Sequence, residues 1–435
     1  MKTLIKNAYS LSRLLGGNSD VEVVVNVVVE GDKIVSITEH IPAGQFDPVI
    51  DASGLFLSPG LVDPQVHFRE PGMEYKEDIE SGSKAAVQGG FTQVISMPNT
   101  SPTADNPDVI ALMVNRSKTV NICKVHPTGS LSKGLAGKQM TDFAALKEAG
   151  AVAITDDGKG VQDEALFKEA LAKAAELNLP VLDHSEDESL SNGGCIHAGE
   201  IAAKYKVKGI DPASESVHVE RGCLLSEQTG AHYHVLHVST KASIDAVRAA
   251  KQKGIRVTVE VSPHHLLLCD EDIPLRADNT LNANWKMNPP LRSRSDMKAC
   301  QQALLDGTID AIATDHAPHS PEEKAQHIES APFGIIGLET AFPLIYSHFV
   351  KTGRLSLADG IDLMSMKAGA LFNIQCGRLV EGSLADLCLF DLGNQFVVTE
   401  DFFASKSRNS PFIGEALYGQ TILTMMNGNI VYQAD

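Results

Sequence analysis

The two ends of the chain carry a hydrophobic pattern that differs from that of the centre. Residues 21–37 read VEVVVNVVVEGDKIVSI, a run of β-branched residues that the polar stretch 30–32 interrupts. This pattern is typical of two strands joined by a tight turn. Strand-like stretches return at 385–390 and 421–432, and Asn427-Gly428-Asn429 marks a hairpin. We therefore predict one small all-β domain, a β-sandwich built from both termini.

The central region alternates short apolar runs with amphipathic stretches. Segments such as 163–177 and 241–253 have apolar residues three and four positions apart, which is typical of helices that cover a sheet. Eight near-continuous apolar runs indicate buried parallel strands: Leu61–His67, Phe91–Met97, Asn121–His126, Ala151–Thr155, Pro180–His184, Tyr233–Val238, Arg256–Val261 and Ile309–Asp315. Eight such units predict an α/β fold, a closed (β/α)₈ TIM-type barrel. We place the barrel at 57–376 and the two parts of the β domain at 1–56 and 377–435.

Polar side chains that can bind metals stand at the C-terminal ends of five predicted strands. These ends carry His67, Asp156-Asp157, His184, His237 and Asp315. In a parallel barrel the strand ends converge on one mouth, where the active sites of this fold lie. Taken singly, such residues are more often core, turn or capping residues. Five strand ends together predict a metal site, and imidazole with carboxylate suits Zn²⁺, Mn²⁺ or Co²⁺.

The composition narrows the classes of function. The chain has 435 residues, with 37 Lys and Arg against 55 Asp and Glu, and thus a net charge of −18. This excludes nucleic-acid binding through a basic patch. The seven cysteines are scattered without a C-x-x-C spacing, which argues against a disulfide framework and a thiolate zinc cluster. No apolar run approaches the ~20 residues of a membrane span, and no signal-peptide core is present, so we expect a cytoplasmic protein.

Five motifs, in this order along the chain, resemble those of one enzyme family. They are His67-Phe68-Arg69-Glu70-Pro71-Gly72, Met97-Pro98-Asn99-Thr100, Asp156-Asp157-Gly158, Asn288-Pro289-Pro290-Leu291-Arg292 and Thr314-Asp315-His316-Ala317-Pro318-His319. From about residue 20 to the C-terminus, the chain resembles dihydroorotases of the amidohydrolase superfamily. The resemblance implies a metal-dependent enzyme that reversibly cyclises N-carbamoyl-L-aspartate to L-dihydroorotate in pyrimidine biosynthesis.

The resemblance also implies roles for individual residues. The implied metal ligands are His67, Asp157, His184, His237 and Asp315. Asp157 would bridge two metals, with Asp156 as the alternative, and Asp315 would also act as general acid and base. The residues implied to hold a small acidic substrate are Arg69, Asn99, Asn288 and His319. An arginine suits this role because its guanidinium offers a planar fork to a carboxylate.

One position departs from the family pattern. The family usually begins its first motif with His-x-His, and here Gln65 stands first. A glutamine carbonyl oxygen is a weak, neutral ligand compared with imidazole. We therefore expect one firmly bound Zn²⁺ at Asp157, His184 and His237, and a weaker second site.

Two alternative functions stay open at this point. Allantoinases and hydantoinases of the same superfamily bridge their metals with a carboxylated lysine, whereas the matching stretch 151–158 supplies aspartate. A non-catalytic homologue that supports a partner such as aspartate transcarbamoylase would account for Gln65. We further expect a homodimer, and segment 320–332 is a candidate mobile lid over the substrate.

Overall fold

Strands and helices alternate through the centre of the chain, as the hydrophobic pattern predicts. The computed structural model describes residues 2–434. The strands are β1 Lys2–Leu11, β2 Glu22–Glu30, β3 Lys33–Thr38, β4 Val49–Asp51, β5 Phe56–Pro59, β6 Leu61–Val66, β7 Phe91–Ser96, β8 Lys124–Pro127, β9 Gly129–Ser130, β10 Ile154–Thr155, β11 Val181–Asp183, β12 Ile196–His197, β13 Gly209–Ile210, β14 Tyr233–Val235, β15 Val257–Val261, β16 Ala311–Ile312, β17 Leu387–Val397, β18 Ala416–Met426 and β19 Asn429–Gln433.

The α-helices flank the central strands. They are α1 Ile79–Gln88, α2 Pro107–Val120, α3 Phe143–Ala149, α4 Glu164–Glu176, α5 Glu188–Ser191, α6 Glu200–Tyr205, α7 Ala213–Thr229, α8 Lys241–Gln252, α9 Pro263–Leu267, α10 Arg294–Leu305, α11 Pro321–Lys324, α12 Ala341–Ile345, α13 Leu357–Leu363 and α14 Met366–Leu371. Short 3₁₀ or π turns lie at Ser12–Leu15, Lys133–Leu135, Asp270–Asp272, Ala283–Trp285, Tyr346–Val350 and Glu400–Phe402.

The central strands close a parallel barrel. One run of neighbours is β6-β7-β8, and the other is β9-β10-β11-β14-β15-β16. Strand β8 leads into β9 through the single residue Thr128, and a parallel bridge between Val66 and His316 closes the ring. All eight predicted strands are present, and the predicted (β/α)₈ fold is confirmed.

The predicted helices begin at side-chain caps. Asp163 accepts a hydrogen bond from the backbone of Leu166 at the start of α4, and Thr240 does the same for Ser243 at the start of α8. Such caps satisfy N–H groups that the first turn of a helix leaves free. Each helix then buries its apolar face against the barrel, as Phe167 does in α4.

Both termini build the small β domain, as predicted. Its sheet has the order β19-β18-β17-β5-β1-β2-β3, with β4 also paired to β1. The sheet is mixed, because β1 runs parallel to β4 and β5 and antiparallel to β2. It has its own apolar core, to which the first strand contributes Ile5 and the C-terminal strands contribute Leu389 and Met425. The sequence pattern did not reveal β1, and the exact domain boundaries stay a prediction.

Within residues 2–434, no helix combines the length and the apolar character that a bilayer crossing requires.

Candidate active site

A cavity of about 320 Å³ opens at the C-terminal mouth of the barrel. It is lined by all the residues that the sequence singled out for metal or substrate: His67, Arg69, Asn99, Asp157, His184, His237, Asn288, Asp315 and His319. Gly158, Ala317 and the stretch 332–334 complete the wall. Convergence of the strand ends therefore brings together residues that are up to 252 positions apart in the chain.

The backbone is strained at three cavity residues. Arg69, His237 and Asp315 have φ values of 62°, 32° and 50°. Residues other than glycine rarely adopt positive φ, and such strain concentrates at functional sites. Here each strained residue follows a barrel strand and directs its side chain into the mouth of the barrel.

Asp157, His184 and His237 form a compact buried group that could hold a metal ion. Their ligand atoms all lie within 4.8 Å of one another. Asp157 Oδ1 is 3.5 Å from His184 Nδ1 and 3.6 Å from His237 Nε2. Both carboxylate oxygens of Asp157 are buried without a hydrogen-bond partner among the described residues. Three protein ligands of this kind, with room for a further ligand, suit a catalytic zinc ion.

His67 and Asp315 extend this group on the opposite side of Asp157. His67 Nε2 lies 3.1 Å from Asp315 Oδ1 and 3.2 Å from Asp157 Oδ2. Its Nδ1 lies 2.9 Å from Asn99 Oδ1. That oxygen can only accept, so we assign the proton of neutral His67 to Nδ1. A lone pair on Nε2 then faces two carboxylates, an arrangement that needs a positive charge between them.

Asp156, the alternative ligand, points away from this group. Its carboxylate accepts hydrogen bonds from the backbone and the hydroxyl of Ser132. Asp156 does not line the cavity, whereas its neighbour Asp157 does. The geometry therefore favours Asp157 as the bridging ligand.

Gln65, like Asp157, is a buried polar side chain near the site whose polar atoms lack hydrogen-bond partners among the described residues. It is fully buried, and neither its amide oxygen nor its amide nitrogen has a hydrogen-bond partner among residues 2–434. Gln65 and His67 are two positions apart in the segment that begins with β6, and alternate strand residues share a face. An amide oxygen without a partner is thus available on the strand that leads to His67.

Glu186 orients His184, and sequence reasoning missed it. Its carboxylate accepts from His184 Nε2 at 3.0 Å and from Asn288 Nδ2 at 2.8 Å. Burial raises the pKa of Glu186, but the hydrogen bond and charge of His184 outweigh it and lower the pKa to about 2. Burial lowers the pKa of His184, yet the nearby carboxylate of Asp157 and the hydrogen bond to Glu186 raise it overall. The group therefore favours positive charge, as a cation site should.

His319 lies between two cations at the edge of the cavity. Its Nδ1 is 3.2 Å from Lys76 Nζ, and its Nε2 is 2.7 Å from the carbonyl oxygen of Phe333. An ammonium group only donates and a carbonyl oxygen only accepts, so His319 is neutral with its proton on Nε2. Burial, together with the charges of Arg69 and Lys76, lowers the pKa of His319 and keeps it neutral.

One edge of the Arg69 guanidinium stays available to a ligand. Its Nε donates to the Pro318 carbonyl at 3.3 Å, and Nη1 has no hydrogen-bond partner among the described residues. Nη2 lies 3.3 Å from His319 Nε2, which already carries a proton and cannot accept. This free edge of Arg69 is the candidate anion-binding corner of the cavity. Lys76, only 8% exposed, lies behind His319 and pairs with Glu323 at 2.9 Å, outside the cavity wall. No pattern in the sequence distinguished Lys76, which lies seven positions after Arg69.

The barrel with this group of imidazoles and carboxylates defines a cyclic amidohydrolase. A solved L-hydantoinase (dihydropyrimidinase) from Arthrobacter aurescens is 26% identical, with a TM-score of 0.85 and coverage of 99% of this chain and 96% of that one. A dihydropyrimidinase from Brevibacillus agri, 23% identical, shares the fold with a TM-score of 0.85 over 100% of this chain and 95% of its own.

Comparison of sequences gives the particular family. The family model for dihydro-orotase-like proteins matches residues 54–243. The dihydroorotase of Bacillus pumilus is 48% identical over 433 residues, which cover 100% of this chain and 99% of that protein. The dihydroorotase of Brevibacillus brevis is 50% identical over 410 residues, 94% of this chain and 95% of that protein. The chain belongs to the dihydroorotase family.

Proposed function

We propose that this protein interconverts N-carbamoyl-L-aspartate and L-dihydroorotate, a step of pyrimidine biosynthesis. The full-length similarity to dihydroorotases supports this reaction. The single observation in the structure that carries it is the pairing of a metal-competent group with an available arginine fork in one cavity. Hydrolysis of a cyclic amide that bears a carboxylate needs a metal at the amide and a cationic group that binds the carboxylate.

Zn²⁺ is the proposed metal. Asp157, His184 and His237 would hold it firmly, and Asp157 would share a second, weaker site with His67 and Asp315. A divalent metal at this position supplies an activated water and polarises the carbonyl of the cyclic amide. The buried, unpartnered oxygens of Asp157 support this assignment.

The chain's own residues bind the substrate and move the proton. Asp315 Oδ2, which has no hydrogen-bond partner among the described residues, would accept the proton of the attacking water and return it to the departing ring nitrogen. The available edge of Arg69 would bind the substrate carboxylate in a bidentate manner. Asn99, Asn288 and His319 would complete the hydrogen bonds to the carboxylate and ring.

An assay of the purified protein tests this function. The protein, prepared without chelators, is incubated with dihydroorotate, N-carbamoyl-L-aspartate, hydantoin and allantoin, and its metal content is measured. We expect turnover of the first two compounds only. Preferential hydrolysis of hydantoin or allantoin would overturn the proposed substrate. Absence of turnover under every metal supplement would favour a non-catalytic partner protein.

Gln65 provides a separate test of the metal site. We expect about one ion per chain after dialysis, because the outer site lacks an imidazole. Gln65→His should raise the content toward two, while Gln395→His, at an exposed position, should leave it unchanged. Two ions retained by the unmodified protein would show that the Gln65 amide oxygen, or another group, replaces the missing ligand.

We propose in addition that the protein is cytoplasmic and forms a homodimer. Association with aspartate transcarbamoylase is a further proposal. Size-exclusion chromatography of the protein, alone and mixed with that enzyme, tests both forms of association.

A further inference from the structure

A second cavity lies on the far side of His319. It has a volume of about 580 Å³, larger than the cavity at the barrel mouth, and the two share His319 as a common wall residue. Three cations face it: Arg276, Lys324 and Arg408. Glu400 is the one acidic residue of its lining.

These cations have no acidic partners. Within residues 2–434, no carboxylate oxygen lies within 4.0 Å of a side-chain nitrogen of Arg276, Lys324 or Arg408. The chain as a whole carries 55 acidic against 37 basic residues. Arg276 is instead held by the carbonyl oxygens of Lys324, Ala325 and Gln326. Arg276 and Lys324 therefore repel each other without a carboxylate between them.

Lys324 shows this repulsion most directly. It is 3% exposed, and its Nζ donates only to the carbonyls of Lys286, Pro332 and Gly334, at 2.9–3.1 Å. Burial, followed by the charges of Lys286 and Arg276, lowers its pKa to about 7. The three carbonyl acceptors require three N–H donors, which the ammonium form supplies, so Lys324 adds a positive charge to the wall of the cavity.

Three residues that line this cavity also keep side-chain nitrogens without a hydrogen-bond acceptor among residues 2–434. Arg408 uses Nη1 for the carbonyls of Ser405 and Ser407, while its Nε and Nη2 have no hydrogen-bond partner among the described residues. The side-chain nitrogens of Asn282 and Asn284 are likewise without an acceptor there. A guanidinium edge suits the oxygens of a phosphate group, and the wall of the same cavity contains further amide donors.

We infer that this second cavity binds a small phosphorylated anion, with the phosphate at the free edge of Arg408. The remaining volume accommodates the body of the ligand beside the apolar side chains of Pro321 and Ile413. The site is distinct from the anion-binding corner of the first cavity, because Arg69 does not line it. The inference does not depend on the proposed reaction.

Thermal unfolding of the enzyme as purified tests this inference. Sulfate, ribose 5-phosphate and ribose are titrated at constant ionic strength, with chloride as the balancing anion. We expect a saturable rise in melting temperature at millimolar sulfate and ribose 5-phosphate, and none with ribose. General stabilisation by excluded salts does not saturate in this range and is the same in all variants. Half-saturation at a lower concentration of ribose 5-phosphate than of sulfate indicates a phosphate ester as ligand. Half-saturation at equal concentrations of the two indicates a free oxyanion.

Three variants locate the bound anion. Arg408→Gln should raise the anion concentration at half-saturation at least tenfold. Arg256→Gln should leave this concentration unchanged, because Arg256 is exposed and has no ion pair among the described residues. Arg69→Gln should also leave it unchanged. Loss of binding in Arg69→Gln alone, or half-saturation at equal concentrations in all variants, would overturn the inference. Should Arg408→Gln not fold, anomalous diffraction from selenate-soaked crystals decides: a peak at Arg408 supports the site, and its absence there refutes it.

Discussion

Asp315 combines an unusual backbone conformation with a close contact between its carboxylate and His67. Its φ of 50° directs the side chain into the cavity, where Oδ1 lies 3.1 Å from His67 Nε2 and Oδ2 has no hydrogen-bond partner among the described residues. This geometry suits a group that exchanges protons with the reactants.

We expect Asp315→Asn to lower kcat by about 10²–10⁴-fold, because an amide cannot accept the proton. The firmly held metal should stay, since Asp157, His184 and His237 are unchanged. Metal analysis and steady-state kinetics measure both effects. Asp245→Asn makes the same chemical change at an exposed helix position and should leave both kcat and the metal content unchanged. A variant that keeps more than about a tenth of the wild-type rate would contradict the proton-transfer role.

Lys76 is predicted to position the substrate through His319. Lys76→Met removes the donor that keeps the His319 proton on Nε2 and leaves Glu323, at 2.9 Å, without its partner. We expect KM for both acidic substrates to rise about tenfold or more, because one charged hydrogen bond contributes about 1.5–3 kcal/mol. The change in kcat should be small. Kinetics with a substrate analogue that lacks the carboxylate measure the specificity of the effect.

The exposed Lys84→Met is the matched control for Lys76, because Lys84 also pairs with a glutamate but lies 54% exposed. It should leave KM unchanged. An equal loss of efficiency with the carboxylate-free analogue would assign Lys76 a structural role only.

At the scale of elements, helix α1 approaches the first motif so closely that only glycine fits. A Cβ at Gly82 would lie 2.5 Å from two carbons of the Phe68 ring. Phe68 is fully buried and stands between His67 and Arg69. The packing of α1 therefore holds the segment that carries two cavity residues.

We expect Gly82→Ala to lower the free energy of unfolding by about 1–3 kcal/mol, the usual effect of overpacking a core. Displacement of Phe68 should also reduce kcat/KM. Gly360→Ala is the control, because its nearest neighbour would lie at an ordinary 3.4 Å and alanine favours a helix. Urea denaturation of both variants measures the difference. Equal stability of the two would show that α1 can move away from Phe68 at little cost.

At the scale of the whole molecule, a buried ion pair joins the barrel to the small β domain. Lys124 in β8 contacts Asp386, which precedes β17 and is fully buried. The other oxygen of Asp386 accepts from the backbone of Asn427 at 2.7 Å. One carboxylate thus links a barrel strand to the C-terminal hairpin.

We expect Lys124→Met to destabilise the protein by about 3 kcal/mol, because it leaves a buried charge unpaired. This is the lower end of the usual range, since the Lys124 side chain is 24% exposed. Lys2→Met breaks a pair that is about half exposed and should change stability by less than about 1 kcal/mol. Denaturation monitored by circular dichroism measures the free energy of unfolding of both variants. Comparable losses of stability in the two variants would argue against a special role for Asp386.

The sequence by itself determined the barrel, the two-ended β domain and the residues at the mouth. Strand burial leaves a local apolar pattern, and the parallel arrangement then obliges His67, His184, His237 and Asp315 to meet at one edge. These conclusions need only the periodicity of the apolar residues and the order of the segments along the chain.

Only the tertiary structure decided how those residues are held. The partners of His319, namely Lys76 and Phe333, lie on other segments, and so does Asn99, which sets the tautomer of His67. The second cavity likewise gathers Arg276, Lys324 and Arg408 from separate parts of the chain. Such contacts leave no periodic signal, because they depend on the path of loops whose polar residues look like ordinary surface. Burial of hydrophobic residues determines the helices and strands. Contacts between side chains of distant loops determine the hydrogen bonds and protonation states of the site residues.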